Sequence, residues 1–151
     1  MKKQKVLEKI DRAWTAFRES YEGLTAEQMS QPGVIGEWSV KDVVCHVSCW
    51  EEEALKYLPH ILHGDRIPRY SMMYGGIDGF NAMMIENKRV LTLNGAFCQL
   101  DEIHARLLEY LQGISEEQFA TEARFNRRLR LDTYTHYSEH TDAINAWRQG
   151  G

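Results

Sequence analysis

Apolar residues recur along this chain every three or four positions, the period of an amphipathic helix and not of a strand. Val6, Ile10, Ala13, Trp14, Phe17 and Tyr21 form one such stripe and predict a first helix from about Lys3 to Leu24. Thr25-Ala26-Glu27-Gln28 has capping-box spacing, Thr25 covering an amide while Gln28 reaches back, and opens a short helical turn. Pro32-Gly33 and Gly36 then break the chain. A second stripe, Val43, His46 with Val47, Trp50, Ala54, Leu58 and Ile61, follows the good N-cap Ser39. It predicts a second helix from Val40 to about Leu62, with Asp42 favourably placed at its positive end. Pro59 predicts a kink or an early end there.

Gly64 to Gly79 is the least regular segment and predicts a crossover. A third helix follows from about Phe80 to Leu111, with a bend at Asn94-Gly95 and a C-terminal cap at Gly113. Ser115-Glu116-Glu117-Gln118 opens another short turn. The last helix is expected from about Leu131 to Trp147, with Asp132 or Thr133 near its cap. Four long amphipathic helices with one longer crossover describe an all-α fold, a four-helix bundle occupying residues 1–151 as a single domain.

Composition narrows the picture by exclusion. A net charge of −4 gives no general pull toward nucleic acid or an anionic membrane, so neither partner is expected. The one basic cluster, Arg124, Arg127, Arg128 and Arg130, reads as a solvated loop just before the last helix. No stretch approaches the roughly 20 apolar residues that span a bilayer. The basic Met1-Lys2-Lys3-Gln4-Lys5 is not followed by the apolar run of a secretory signal. Three cysteines, Cys45, Cys49 and Cys98, make an odd set that reads as reduced thiols, and the expected location is cytoplasmic.

The candidate chemistry lies in the histidines. His136 and His140 are one turn apart on one helix face, which continues through Ala143, Ile144 and Trp147 as a core stripe. Two imidazoles pointing inward form a bidentate clamp for a metal, and are otherwise poor core residues because their nitrogens need partners. His46 sits on the apolar stripe of the second helix, and inward residues of facing helices meet in a bundle core. Three neutral imidazoles around one divalent ion leave an open position, the layout of a catalytic zinc site. His60 and His63 read as surface residues and His104 as structural. Cys49 is close enough in the helical projection to approach the site, but reads more simply as a core filler. Glu53, seven residues after His46 on the same face, is the general-base candidate; beside Glu51 and Glu52 it also reads as a solvated carboxylate. Asp132, one turn before His136, reads as a helix cap, or as a group that orients the His136 ring.

Two stretches carry a family resemblance. Gly36-Glu37-Trp38-Ser39-Val40-Lys41-Asp42-Val43-Val44-Cys45-His46-Val47 resembles the second-helix signature of the DinB/YfiT-like superfamily. Asp132 through Arg148, containing His136-Tyr137-Ser138-Glu139-His140, is similar to the last helix of its ClbS/DfsB-like branch. The resemblance implies an up-down-down-up bundle, commonly a homodimer, and a divalent transition metal, zinc or nickel, held by His46, His136 and His140. Helix surfaces around Trp14 and Phe17 are the sequence-level candidates for a dimer contact. The resemblance also implies a metal-dependent enzyme, of hydrolase or thiol-transferase type, acting on a small electrophilic molecule. The competing expectation is a non-catalytic bundle that binds a small ligand or protects against stress. In either case the irregular segment from Gly64 to Gly79, with Tyr70 and Tyr74, is expected to wall the substrate side of the site.

Overall fold

The computed structural model describes residues 2–150 and is helical nearly throughout. Helix α1 spans Lys3–Tyr21 and the short α2 spans Ala26–Met29 behind the expected Thr25–Gln28 capping box. Helix α3, Val40–Leu62, starts where Ser39 and Asp42 exchange side-chain-to-amide hydrogen bonds of 3.0 and 3.2 Å. It runs unbroken through Pro59, contrary to the expected kink or early end. Pro59 is only one turn from the C-terminus, so the chain loses a single amide bond there. The stop comes from Gly64 at φ 87°, where Gly64 N–H reaches Ile61 O and Asp65 N–H reaches His60 O, a Schellman closure.

The crossover contains a short helix, α4, Tyr70–Met73. The expected third helix is two helices: α5, Ile77–Lys88, and α6, Leu93–Gln112. Thr92 is the reason. Its hydroxyl accepts the Gly95 N–H at 3.0 Å and caps a new helix, so Asn94-Gly95 lie in a first turn and not at a mid-helix bend. After α7, Glu116–Thr121, the basic cluster forms helix α8, Ala123–Asp132, in place of the expected solvated loop. Phe125, Leu129 and Asp132 give α8 a buried face at helical spacing, which counting charges alone does not reveal. Helix α9, Tyr134–Gly150, therefore begins three residues later than expected. Thr133 closes α8 and also opens α9, as expected near its cap: its carbonyl accepts the Tyr137 N–H at 2.8 Å, while its hydroxyl bonds back to Leu129 O and the Asp132 carboxylate is held by Arg128.

Side-chain contacts fix the directions of the four long helices. Glu51 meets His104 while Ser48 and Gln99 share the Lys88 ammonium, so α3 and α6 run parallel. Lys9 lies over Tyr134, Trp14 against Tyr137, and Arg148 bonds Ser20 O, so α1 and α9 run parallel. His46 meets both His136 and His140 across α3 and α9, and Tyr21 meets Phe97 across α1 and α6. These contacts give the up-down-down-up bundle. Trp14 and Phe17 are both buried inside this core, so neither is available as the outward dimer surface offered by the sequence.

Candidate metal centre

The turn before α3 sets the first wall of the site. Val34 N–H bonds Trp38 O and Trp38 N–H bonds Ile35 O, with Gly36 at φ 56° between them, a conformation that glycine adopts without strain. The turn lays the Trp38 ring 4.8 Å from the His46 ring. His46 projects inward from the second turn of α3, and His136 and His140 project from successive turns of α9. Their Nε2 atoms converge: 2.8 Å separates His46 from His136 and 2.9 Å separates His136 from His140. Among the described residues this is the His/Cys/Asp/Glu group whose ligand atoms come together for one ion.

The donor set fits a small divalent ion. His136 Nε2 makes both close contacts, and one ring N–H cannot serve two acceptors well in such a cluster. Three lone pairs turned toward one cation remove the conflict; nitrogens sharing a tetrahedral zinc lie about 3.3 Å apart, so little opening is needed. Burial holds all three rings neutral, ready to ligate: it depresses His46 to about 3, with His140 adding to the effect, His136 to about 2 and His140 to about 4. The outer side of the rings is less usual. Nδ1 of His136 and of His140 is sealed from water with no partner, so packing, and not the common carboxylate or carbonyl contact, orients these rings.

A cavity of about 460 Å³ opens onto the three histidines, within the usual range of small-molecule sites. Trp50, Tyr70, Ile77 and Leu131 supply its apolar wall, and Asn81, Arg128 and Asp132 its polar one, with Glu139 also on the lining. Arg128 Nε donates to Asp132 Oδ2 at 2.6 Å, and its Nη2 donates to the Tyr70 hydroxyl at 2.9 Å. That hydroxyl donates in turn to Glu53 at 3.1 Å. Burial pushes Asp132 up to about 6, with Arg128 pulling the other way.

The expected site residues divide accordingly. His46, His136, His140 and Tyr70 line the cavity, while Tyr74 stands behind, packed on Tyr70 and Phe80. Glu53 reaches the cavity only through Tyr70. Cys49 packs with Trp50 and Phe80, and burial pushes its thiol up to about 12, away from the thiolate a metal needs. His60 and His63 are exposed and share Asp65. His104 is structural, as expected: it stacks on Trp14 at 3.6 Å and bonds Glu51 at 2.9 Å. Arg128 and Asn81 line the cavity without having been singled out in the sequence, and Asp132 lines it too but does not orient the His136 ring, whose Nδ1 has no partner. The signal for Arg128 was the spacing that places it one turn before Asp132, itself one turn before His136.

The comparisons with known proteins agree with this fold. A family model described as DinB superfamily matches residues 9–142. No curated protein matches the sequence. Among solved structures, the colibactin self-resistance protein ClbS in complex with a dsDNA superposes with a TM-score of 0.85 at 15% identity, covering 98% of this chain and 96% of that one. DfsB, described as a sibling lethal factor precursor, gives 0.83 at 13% identity over 99% and 96%. An uncharacterised protein from Escherichia coli UTI89 gives 0.82 at 14% identity over 99% and 94%. At these identities the likeness is one of fold.

Proposed function

The chain belongs to the DinB superfamily, and from that premise we propose that it is a metal-dependent enzyme acting on a small electrophilic molecule. The observation that carries the reading is the convergence of three buried, neutral imidazoles at the floor of a mostly apolar cavity. His46, His136 and His140 would hold one zinc or nickel ion. When bound, such an ion supplies Lewis acidity and activates water or a thiol cosubstrate near neutral pH. The chain's own residues do the rest. Trp38 and Trp50 keep bulk water from the histidines. Trp50 and Tyr70 offer flat apolar surface on which a substrate lies. Arg128 fixes the Tyr70 hydroxyl, which passes its hydrogen bond to Glu53, so Glu53 takes the part of a proton acceptor one group removed from the cavity.

The test combines metal content with turnover. Chelator-stripped protein reloaded with zinc or nickel should hold about one ion per chain, and His140→Ala should lose most of it. Loaded protein is then assayed against activated esters and strained-ring electrophiles, with and without low-molecular-weight thiols. Activity should fall at least about a hundredfold in His46→Ala, the scale expected when a metal centre is dismantled. Full activity in His46→Ala sinks metal catalysis.

A second reading is favoured by a separate surface. Exposed Arg127 and Arg130 of α8 line a groove of about 360 Å³ with Val6 and Tyr134, and Lys9 of α1 stands over the Tyr134 ring. The three acidic residues of α1, Glu8, Asp11 and Glu19, line other cavities. The expectation of no nucleic-acid partner thus meets a segregated basic groove, and a similar fold is known bound to dsDNA. In this reading the groove binds duplex DNA through phosphate. Fluorescence anisotropy with a labelled duplex should show binding that weakens steeply from 50 to 200 mM salt (about tenfold or more), with a smaller slope for Arg127→Glu/Arg130→Glu. Identical curves for the two proteins remove it.

A further inference from the structure

The polar wall of the histidine cavity has hydrogen-bonding capacity left over, and its pattern is specific. Arg128 is nearly buried, its side chain 15% exposed. Three aromatic rings, Trp50, Tyr57 and Tyr70, lie 5.5–5.9 Å from its guanidinium carbon and hold it in place. Nε and Nη2 are committed to Asp132 and Tyr70. Nη1 makes no hydrogen bond, yet is not among the sealed, partnerless atoms, so it keeps an open side. The same holds for the second carboxylate oxygen of Asp132, Oδ1. Both residues line the cavity. Asn81 accepts the Trp50 indole N–H on its carbonyl oxygen at 2.8 Å, which leaves its amide N–H groups free. The unspent groups are therefore a donor edge, Arg128 with Asn81, beside one acceptor, Asp132.

Charge narrows the ligand further. Arg128 and Asp132 cancel one another, and Glu139 at the lining adds a negative charge, so the wall does not invite a free carboxylate. A neutral group carrying both an acceptor oxygen and an N–H meets the pattern. We propose that the cavity recognises an uncharged carboxamide, its carbonyl oxygen accepting from Arg128 and Asn81 and its N–H donating to Asp132, with an apolar tail lying over Ile77 and Leu131. Both of those apolar residues line the cavity and are exposed, 55% and 45%. The inference deepens the reading of this cavity as the substrate site, and it names the class of compound that the electrophile would belong to.

The test uses chelator-stripped protein at pH 7.5, so that ligand binding is read apart from the metal. Dissociation constants are measured by NMR titration for hexanamide, N,N-dimethylhexanamide, hexanoate and acetamide. Hexanamide should bind about tenfold or more tightly than hexanoate and than the tertiary amide, which keeps the carbonyl but lacks the N–H. Acetamide, without the tail, should be weaker still. Arg128→Lys, which keeps the charge beside Asp132 but not the planar fork, should lose about tenfold for hexanamide while its melting curve confirms folding. Equal binding of hexanamide and hexanoate, or of hexanamide and N,N-dimethylhexanamide, overturns the proposal in the wild-type protein alone, whether or not the variant folds. Zinc titration of the same stocks separates the two ideas. Zinc bound without amide selectivity overturns the carboxamide site and leaves the metal reading; amide selectivity without zinc binding does the reverse.

Discussion

Metal-stripped protein is expected to lose stability as the pH falls from 7 to 5, and to regain it when zinc is added. The cause is the histidine cluster. In the unfolded chain each imidazole takes up a proton near its ordinary value of about 6.5. In the folded chain burial holds His46 near 3, His136 near 2 and His140 near 4. A depressed histidine means that the unfolded state binds more protons over this window, so acidification favours unfolding, by up to about 1.4 kcal/mol per pH unit for each ring. Two groups act the other way. Asp132, raised to about 6, and Glu51, also raised by burial, take up protons more readily when folded, and so gain stability as the pH falls. Three histidines outweigh them in number. A difference measurement isolates the cluster: the double substitution His136→Leu/His140→Leu should flatten the pH dependence by about 3–4 kcal/mol between pH 7 and 5. Urea melts of both proteins at four or five pH values give the answer, and parallel curves would show that the rings are hydrated and titrate normally.

The second large effect is expected at Glu51, which has no solvent exposure and pairs with His104 at 2.9 Å. Tyr137, also sealed, approaches the same carboxylate closely enough to influence its ionisation without completing a hydrogen bond. Glu51→Ala removes one partner of a buried pair and opens a void, and should cost about 3–5 kcal/mol. For a chain of this length that lowers the melting temperature by roughly 10 °C. Glu51→Met combined with His104→Leu removes both polar partners and keeps the volume, so it should cost far less than the single change. Calorimetry of the two variants decides; if the double variant is the less stable, the pair is a net stabiliser and the desolvation argument fails.

Glu51 also shows why part of the core escaped sequence reading. Glu51-Glu52-Glu53 looks like a run of solvated charge, but consecutive helical residues are turned by about 100°, so three of them cannot share a face. Glu51 falls between Val47 and Ala54 on the buried stripe, and its partner His104 comes from a helix whose register only the folded chain defines. Arg128 was hidden in the same manner, among arginines whose density suggested solvent while Phe125 and Leu129 already marked a buried face. What was legible followed from local rules. The Ser39 cap and the Thr25 box were found because cap chemistry is written within four residues, and the inward direction of His46, His136 and His140 because each sits on an unbroken apolar stripe. The break between α5 and α6 was misplaced because Thr92 and Gly95 compete as a cap and as a mid-helix flaw, and local pattern alone does not rank them.

The parallel pairing of α3 with α6, and of α1 with α9, has a consequence for how fast the chain can fold. Neither pair can be closed by a tight turn, since parallel neighbours need a connection that travels the length of the bundle. The contacts that define the core are therefore distant in sequence: 90 residues separate His46 from His136. Loop-closure entropy must be overcome before those contacts can reward it, which lowers the folding rate relative to a bundle of successive hairpins of equal size. In a stopped-flow refolding experiment, helix content should rise well before a dye-reported transition-metal site appears, because the three imidazoles meet only when the slowest step of assembly is over.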